Sequence, residues 1–303
     1  MTDLAVPATA EARRAMMGGE VAVHATGDVT RSQLGAVLDR LAAWASRLTR
    51  FETGSELVRA NAAPGDRARI GPTLTAVLDW ARAAEGLTDG LVDVAMLEAR
   101  LAAETGAPVR PPQAASRRWS IERGPRASVL RRGPGVRIDL DGVAKGWLAD
   151  RALALTPGRS ALVDADGDIA LRLAGPDDAW GLGVADPRDA EEFLAVLQFR
   201  AGRAPGSFGV ATSGTSVHRW AHARGETHHL IDPRTWQPAT SDIVQATVVA
   251  GSAREAEALA KAAVIVGTAR AFALLDRPGV LGALILTERG DLRATPEMLR
   301  WLA

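Results

Sequence analysis

Residues 139–152, DLDGVAKGWLADRA, decide how this chain is read. A short apolar alternation precedes them, Val136, Ile138 and Leu140, whose period of two predicts a strand. The chain then turns through Gly142 and enters a predicted amphipathic helix carrying Val143, Trp147, Leu148 and Ala152. A strand that turns through glycine into a helix leaves backbone N–H groups without intrahelical partners, and the helix dipole adds positive potential there. Such a junction suits a phosphate, and Lys145 adds a mobile cation beside it. The Gly-x4-Gly-Lys-Ser/Thr spacing of a Walker loop is absent. An ordinary strand–helix junction accounts for the same residues, so the turn alone leaves both readings open.

Upstream, Val21, Val23 and Ala25 alternate into a first predicted strand. Thr30 and Ser32 offer caps for a helix whose face is Leu34, Leu38, Leu41 and Leu48, with Val37 and Trp44 beside them. A second helix is predicted from Pro72, burying Leu74, Val77, Leu78 and Ala81. Residues 61–69 read as a loop, 108–113 as a proline-rich connection, and 131–135 as a hairpin turn. Downstream, strands are predicted at 161–163, 169–173, 181–184, 245–249 and 281–286, separated by glycine turns. A helix is predicted from Ala253 to about Gly267, with Ser252 as cap and Glu255 completing a capping box. Hairpins with a few helices give an α+β class: one module of mixed, largely antiparallel sheet with flanking helices. Residues 1–15 are expected to be a flexible N-terminal extension, and residues 16–303 the folded domain.

Composition narrows the function. Of 303 residues 47% are hydrophobic, enough for a large core and against disorder. Lysine plus arginine balances aspartate plus glutamate at 36 each, which argues against a nucleic-acid partner or a polybasic membrane binder. There is no cysteine, so disulfides, thiolate catalysis and zinc–cysteine sites are excluded. The opening residues lack the continuous apolar run of a secretory signal, and no stretch approaches the roughly 18–20 apolar residues of a membrane span. No membrane insertion and a cytoplasmic location are expected.

Four more polar islands follow the turn. In ALVDADGDIAL, residues 161–171, Asp164, Asp166 and Asp168 surround Gly167; a calcium loop would need a glutamate at the twelfth place, and a polar hairpin turn fits as well. In VATSGTSVHRW, residues 210–220, Thr212, Ser213 and Gly214 offer hydroxyls and amides to a phosphate or a flavin edge, or simply cap a turn. Ser213 does not sit in a Gly-x-Ser-x-Gly elbow. His218 and His222 have a zinc-pair spacing for a helix, but 223–226 reads as a hairpin turn that puts them on strands. HHLIDPRTWQP, residues 228–238, holds an Asp232-Pro233 turn start and Arg234, suited to a forked contact with an anion or carboxylate. In SAREAEALAKAAVIVG, residues 252–267, Glu257 and Lys261 share a helix face.

Taken in order, these islands resemble the FAD:protein FMN transferase (ApbE-like) family from about Met17 to Leu286. Met17-Gly18-Gly19 resembles its opening Met-Gly-Thr, and Ser55-Glu56-Leu57 with Arg59 and Asn61 its Ser-Glu-Leu-Ser-Arg-Leu-Asn. Thr88, Gly90 and Asp93 match Thr-Gly-Gly-Ala-Phe-Asp, with Val92 for the phenylalanine. Residues 139–146 resemble Asp-Leu-Gly-Gly-Ile-Ala-Lys-Gly, 166–168 Gly-Gly-Asp, 211–214 Ala-Thr-Ser-Gly, and 229–235 His-Ile-Ile-Asp-Pro-Arg-Thr. Residues 256–261 lie where the family has Ala-Asp-Ala-Leu-Ala-Thr.

The resemblance implies a single ApbE-like module that takes FAD, moves its FMN half onto a threonine or serine of an acceptor flavoprotein and releases AMP, with a magnesium ion assisting. It implies cofactor-binding roles for Met17, Glu56, Asn61, Asp93, Gly142, Ala144, Lys145, Asp168, Thr212, Ser213, Gly214, His229 and Asp232, and catalytic roles for His229 and Lys145. It places the metal at Ala144, Glu257 and Lys261. Lysine stands there for threonine and has no lone pair when protonated. Asp141, where the family has glycine, is a possible replacement carboxylate that would pair with Lys261. Asp166 and Trp236 also replace glycines. Two alternatives remain beside transfer: a flavin-binding homologue without activity, and an FAD pyrophosphatase.

Overall fold

The computed structural model describes residues 9–110, 118–124, 127–175, 178–200, 206–223 and 225–303. Strands β1 (Thr9–Met16) and β2 (Gly19–Thr26) form a hairpin whose two turn residues, Met17 (φ 59°) and Gly18 (φ 91°), are both left-handed. Two such residues give the turn whose twist matches the strands. The expected flexible extension over 1–15 therefore gives way from Thr9 onward to a strand paired along its length; residues 1–8 lie outside the described residues. Helix α1 (Arg31–Leu48) starts at a capping box between Thr30 and Gln33 and buries Leu34, Val37, Leu38, Leu41 and Leu48.

The stretch read as a loop at 61–69 holds the end of α2 (Glu56–Ala62) and strand β3 (Arg67–Ile70), each too short to show a period in sequence. Then come α3 (Pro72–Leu87) and α4 (Leu97–Thr105). β4 (Trp119–Arg123) and β5 (Ser128–Arg132) complete a small antiparallel sheet in the order β3-β5-β4. Of the proline-rich connection, residues 111–113 lie outside the described residues.

Residues 136–140 correct the opening prediction. Val136, Ile138 and Leu140 are buried, as their alternation requires, but the segment joins no sheet. Asn61 takes the place of a neighbouring strand: its Nδ2 donates to the Ile138 carbonyl and its Oδ1 accepts from Ile138 N, both at 2.8 Å. Asp139 N donates to Val94 O at 2.7 Å. A side-chain amide has one face that both donates and accepts, so one asparagine satisfies a peptide that a ladder would otherwise serve. The predicted helix follows as α5 (Ala144–Leu155).

The rest of the chain is mostly strands: β6 (Ala161–Ala165), β7 (Asp168–Leu173), β8 (Ala179–Asp186), β9 (Asp189–Arg200), β10 (Gly206–Gly214), β11 (Arg219–His222), β12 (Gly225–His228), β13 (Ile231–Asp232), β14 (Gln237–Pro238) and β15 (Ile243–Ala250). Helices α6 (Ala253–Val266) and α7 (Thr268–Leu275) and strands β16 (Val280–Thr287) and β17 (Leu292–Ala294) close it. The β6–β7 turn is Asp166 (φ 58°) and Gly167 (φ 89°), a polar hairpin turn and not a calcium loop.

The main sheet runs β1-β2-β6-β7-β10-β15-β16-β17, every neighbouring pair antiparallel, with β1 and β17 at its edges. Alternation splits the core in two. On β6, Ala161, Val163 and Ala165 join the layer of α1, α5 and α6, while Leu162 joins Leu171, Phe199, Phe208 and Trp301 beneath the β8–β9 hairpin. Helix α6 buries six alanines, Ala253, Ala256, Ala258, Ala260, Ala262 and Ala263, and lies tight against α5. A Cβ at Gly146 would stand 2.6 Å from the Ala253 carbonyl oxygen.

The expected capping box of α6 is not formed, because the Ser252 hydroxyl donates to the Glu255 carboxylate instead. Asp150 of α5 caps the helix, accepting from Ala253 N at 2.9 Å and Arg254 N at 3.2 Å. Burial pushes the Asp150 carboxyl from 3.8 up to about 6, against the pull of those two donors. The folded state then binds this proton more tightly than the unfolded chain, so the stability contributed by the group falls as pH rises from about 4 to about 6. Denaturant titrations of the wild type and of Asp150→Asn at pH 4 and pH 7 are expected to show the wild type losing ground by up to about 3 kcal/mol over that range. Parallel pH profiles for the two proteins would contradict this.

Candidate active site

Helices α1, α4 and α5 and the loops between them meet the first hairpin and residues 218–220 around one cavity of about 650 Å³. Its walls include Met17 and Gly18 from the first hairpin, Leu48 to Glu52 after α1, Arg100 and Glu104 of α4, Asp139 to Asp141, Ala144 and Lys145, and His218 and Trp220. That volume lies within the roughly 300–1,000 Å³ of sites for small ligands. A smaller cavity shares Arg100 and Asp139 with it and adds Asp93, Gly142, His229, Ile231 and Lys261. The turn expected to cradle a phosphate thus forms part of the wall of both.

Lys145, in the first turn of α5, sits among carboxylates. Its Nζ donates to the Asp166 carbonyl at 3.0 Å and lies 3.6 Å from Asp168 Oδ2. Burial works against its ammonium, but Asp168, Glu257, Asp166 and Asp141 outweigh it and hold the pKa above the usual lysine range. Burial also pushes the Asp168 carboxyl up to about 6, with Lys145 pulling the other way. Glu257 is buried too, and its carboxyl is raised by burial first and by Asp168 next. One of its oxygens, Oε2, accepts from Gly146 N at 3.0 Å, and the other, Oε1, is buried without a hydrogen-bond partner.

Arg100 was not foreseen. It is buried on α4, its Nη2 3.2 Å from Asp141 Oδ2, its Nε 3.0 Å from Glu104 Oε1, its guanidinium over the Trp220 ring. The sequence carried a signal for it: an arginine among Met96, Leu97, Ala99 and Ala103 on an apolar stripe. Helix α4 rests in turn on Trp236, which is buried against Met96, Ala99 and Ala103 in a left-handed conformation (φ 62°). The bulk that replaces glycine at 236 therefore supports the helix that carries Arg100. Asp141 pairs with this arginine and not, as expected, with Lys261. Lys261 reaches over Gly142, where a Cβ would collide with its Nζ.

The two adjacent histidines separate at the end of β12, which stops at His228, so His229 lies just beyond the strand expected to hold both. His228 is committed to the fold: its Nε2 donates to the Ala239 carbonyl at 3.0 Å and its Nδ1 accepts from Leu230 N at 3.2 Å. His229 faces the small cavity, its Nδ1 bonded to the Val217 carbonyl at 3.2 Å. A carbonyl only accepts, so that bond puts the proton on Nδ1 and leaves a lone pair on Nε2. His218 packs edge-on against His229, while His222 bonds the Ala103 carbonyl, so the pair with zinc-like spacing does not come together.

Of the other expected site residues, Met17, Ala144 and Asp141 line the large cavity and Asp93 and Gly142 the small one. Glu56, Asn61, Asp168, Thr212, Ser213, Gly214 and Asp232 are not among the residues lining either. Glu56 accepts from Gly71 N at the start of α3, and Asn61 holds Ile138. Thr212 shares a hydroxyl contact with Thr247 at 2.8 Å, and Ser213 and Gly214 pair with β15. Asp232 is buried and takes the forked grip of Arg234, so that fork is spent on a carboxylate of the chain itself.

The positions that the resemblance gives to magnesium do not fit it. A hard dication needs several oxygen ligands. Of those three positions only Glu257 brings a side-chain oxygen, and the ammonium groups of Lys145 and Lys261 both act on it, beside the buried Asp168. Among the described residues no three acidic or histidine side chains are grouped to hold a metal ion.

Comparisons with known proteins identify the family and the fold. The chain matches the ApbE family over residues 17–285. The FAD:protein FMN transferase of Treponema pallidum is 32% identical over 169 residues, 51% of this chain and 45% of that protein. Its counterpart in Escherichia coli K12 is 28% identical over 163 residues, 52% of this chain and 44% of that protein. The matched stretch thus spans about half the length of these relatives. Among solved structures, the ApbE protein of Thermotoga maritima superposes with a TM-score of 0.80 at 22% identity, covering 98% of this chain and 100% of the other. The flavinyl transferase ApbE of Pseudomonas stutzeri gives 0.77 at 21%, covering 97% of each. With nearly its whole length, residues 17–285, inside the family match, this chain belongs to the ApbE family.

Proposed function

We propose that this protein binds FAD in the large cavity and transfers its FMN half to a threonine or serine hydroxyl of an acceptor flavoprotein, releasing AMP. The observation that carries the reading is the shared small cavity, where the Nε2 lone pair of His229 and the Gly142 turn face one space. Attack by the acceptor oxygen forms a new P–O bond at the FMN phosphorus. The pyrophosphate bridge breaks, its electron pair leaves on AMP, and the hydroxyl proton passes to His229. The N-terminus of α5 supplies positive potential where the phosphates would lie. Lys145 holds the β6–β7 turn against that helix. Magnesium, which the resemblance implies, has no role in this proposal. A cytoplasmic location is part of it, tested by cell fractionation.

Incubating the full chain with FAD and a threonine-containing acceptor protein is expected to yield AMP and a flavin-fluorescent acceptor band in a denaturing gel. AMP without labelled acceptor would mean that water takes the place of the hydroxyl. FAD bound with no AMP released would mean a flavin-holding protein. Either result overturns the transferase reading.

A further inference from the structure

Helix α6 delivers one side chain for which the fold has no evident use. Lys261 lies one turn beyond Glu257 and lays its ammonium directly over Gly142. Among the described residues that ammonium makes no hydrogen bond or ion pair; its charge acts on the buried carboxyls of Asp139 and Glu257. Arg100 stands in the wall of the same cavity and is only 4% exposed. Its Nε and Nη2 face Glu104 and Asp141, but Nη1 is buried with no hydrogen-bond partner. A buried, charged donor without an acceptor is costly, and it points to an acceptor that arrives with a ligand. Two side-chain cations from different helices thus converge on the turn expected to meet a pyrophosphate, at a place whose carboxylates cannot assemble a metal site.

We propose that Lys261 and Arg100 together hold the FAD pyrophosphate and supply the charge neutralisation that a divalent ion would otherwise bring, so that this chain binds and splits FAD without metal. The inference rests on reading the cavities as an FAD site. The two cations suit different tasks. The guanidinium, held on its other nitrogens by Glu104 and Asp141, offers its Nη1 to a phosphate oxygen, and the ammonium is a compact point charge. As the bridge breaks, negative charge gathers on the departing AMP phosphate, and a cation fixed over Gly142 meets it without rearrangement. Helix α6, locked by close alanine packing, holds the ammonium in place. Gly142 is required for the approach, since any side chain there would displace Nζ.

The test uses the full chain stripped of metal with EDTA. FAD affinity is read by flavin fluorescence, FAD-induced change in melting temperature serves as a second readout, and AMP release is followed with acceptor present. Wild-type FAD affinity is expected to be equal within about twofold in EDTA and in magnesium. Lys261→Thr, which restores a hydroxyl one turn from Glu257, is expected to bind FAD about tenfold or more weakly in EDTA and to regain affinity with magnesium. Lys261→Met is expected to bind weakly in both. Wild-type binding or AMP release that collapses in EDTA and returns with magnesium overturns the proposal. So does a Lys261→Met protein that binds FAD in EDTA as tightly as the wild type. If the wild type binds no FAD in either condition, the FAD reading itself is overturned and this inference with it.

Discussion

His229→Ala is expected to lower FMN transfer by about 10²–10⁴-fold, the usual range for a lost general base, while FAD binding persists. The Val217 carbonyl fixes the ring with its proton on Nδ1, so the free Nε2 can accept the acceptor's proton. His228→Ala is the matched control. It removes two hydrogen bonds inside the fold, and burial already depresses the pKa of that ring, so its effect is expected on stability more than on rate. Transfer assays at saturating FAD separate the two. A loss of less than tenfold for His229→Ala would remove it from the base role, and lost FAD binding would make it a binding residue.

Lys145→Met is expected to destabilise the protein by about 3–5 kcal/mol, the range for breaking a buried ion pair by removing one partner. At about 2–4 °C per kcal/mol for a large domain, the melting temperature falls on the order of 10 °C. Asp168 is almost fully buried, and its carboxyl, already raised to about 6, loses the ammonium that holds it down. A carboxyl raised in the folded state destabilises above its ordinary pKa, and increasingly so as pH climbs toward the raised value. The deficit of the variant is therefore expected to be smaller at pH 5 than at pH 8. Thermal melts at the two values check this, and a deficit independent of pH would show that Lys145 acts through packing alone.

The sequence told most where chemistry and backbone demand coincide. Glycine turns, the Asp166-Gly167 hairpin and the His229 to Thr235 run are legible because few residue types tolerate those conformations. Legibility failed where a distant side chain decides the outcome. Val136, Ile138 and Leu140 have the period of a strand, yet Asn61 satisfies the Ile138 backbone from 77 positions away. Asp150 caps α6 across 103 positions, although Ser252 and Glu255 had the local pattern. Arg100 lay on a nine-residue helix too short to announce itself, so Asp141 was assigned the wrong cation. Strand β1 was masked by its charges, which suit an edge.

Those charges have a consequence for the crowded cell. The free border of a sheet is a row of unsatisfied peptide groups, ready to template a neighbouring chain. Among the described residues one border of this eight-stranded sheet bears Glu11, Arg13 and Arg14, and the other ends in a strand of three residues, Leu292–Ala294. One side repels ordered stacking by charge, and the other is too short to seed it. A protein whose strands must find partners far along the chain spends longer half-assembled than a helical bundle does. Its defence against self-association is written into the two outermost strands of the sheet.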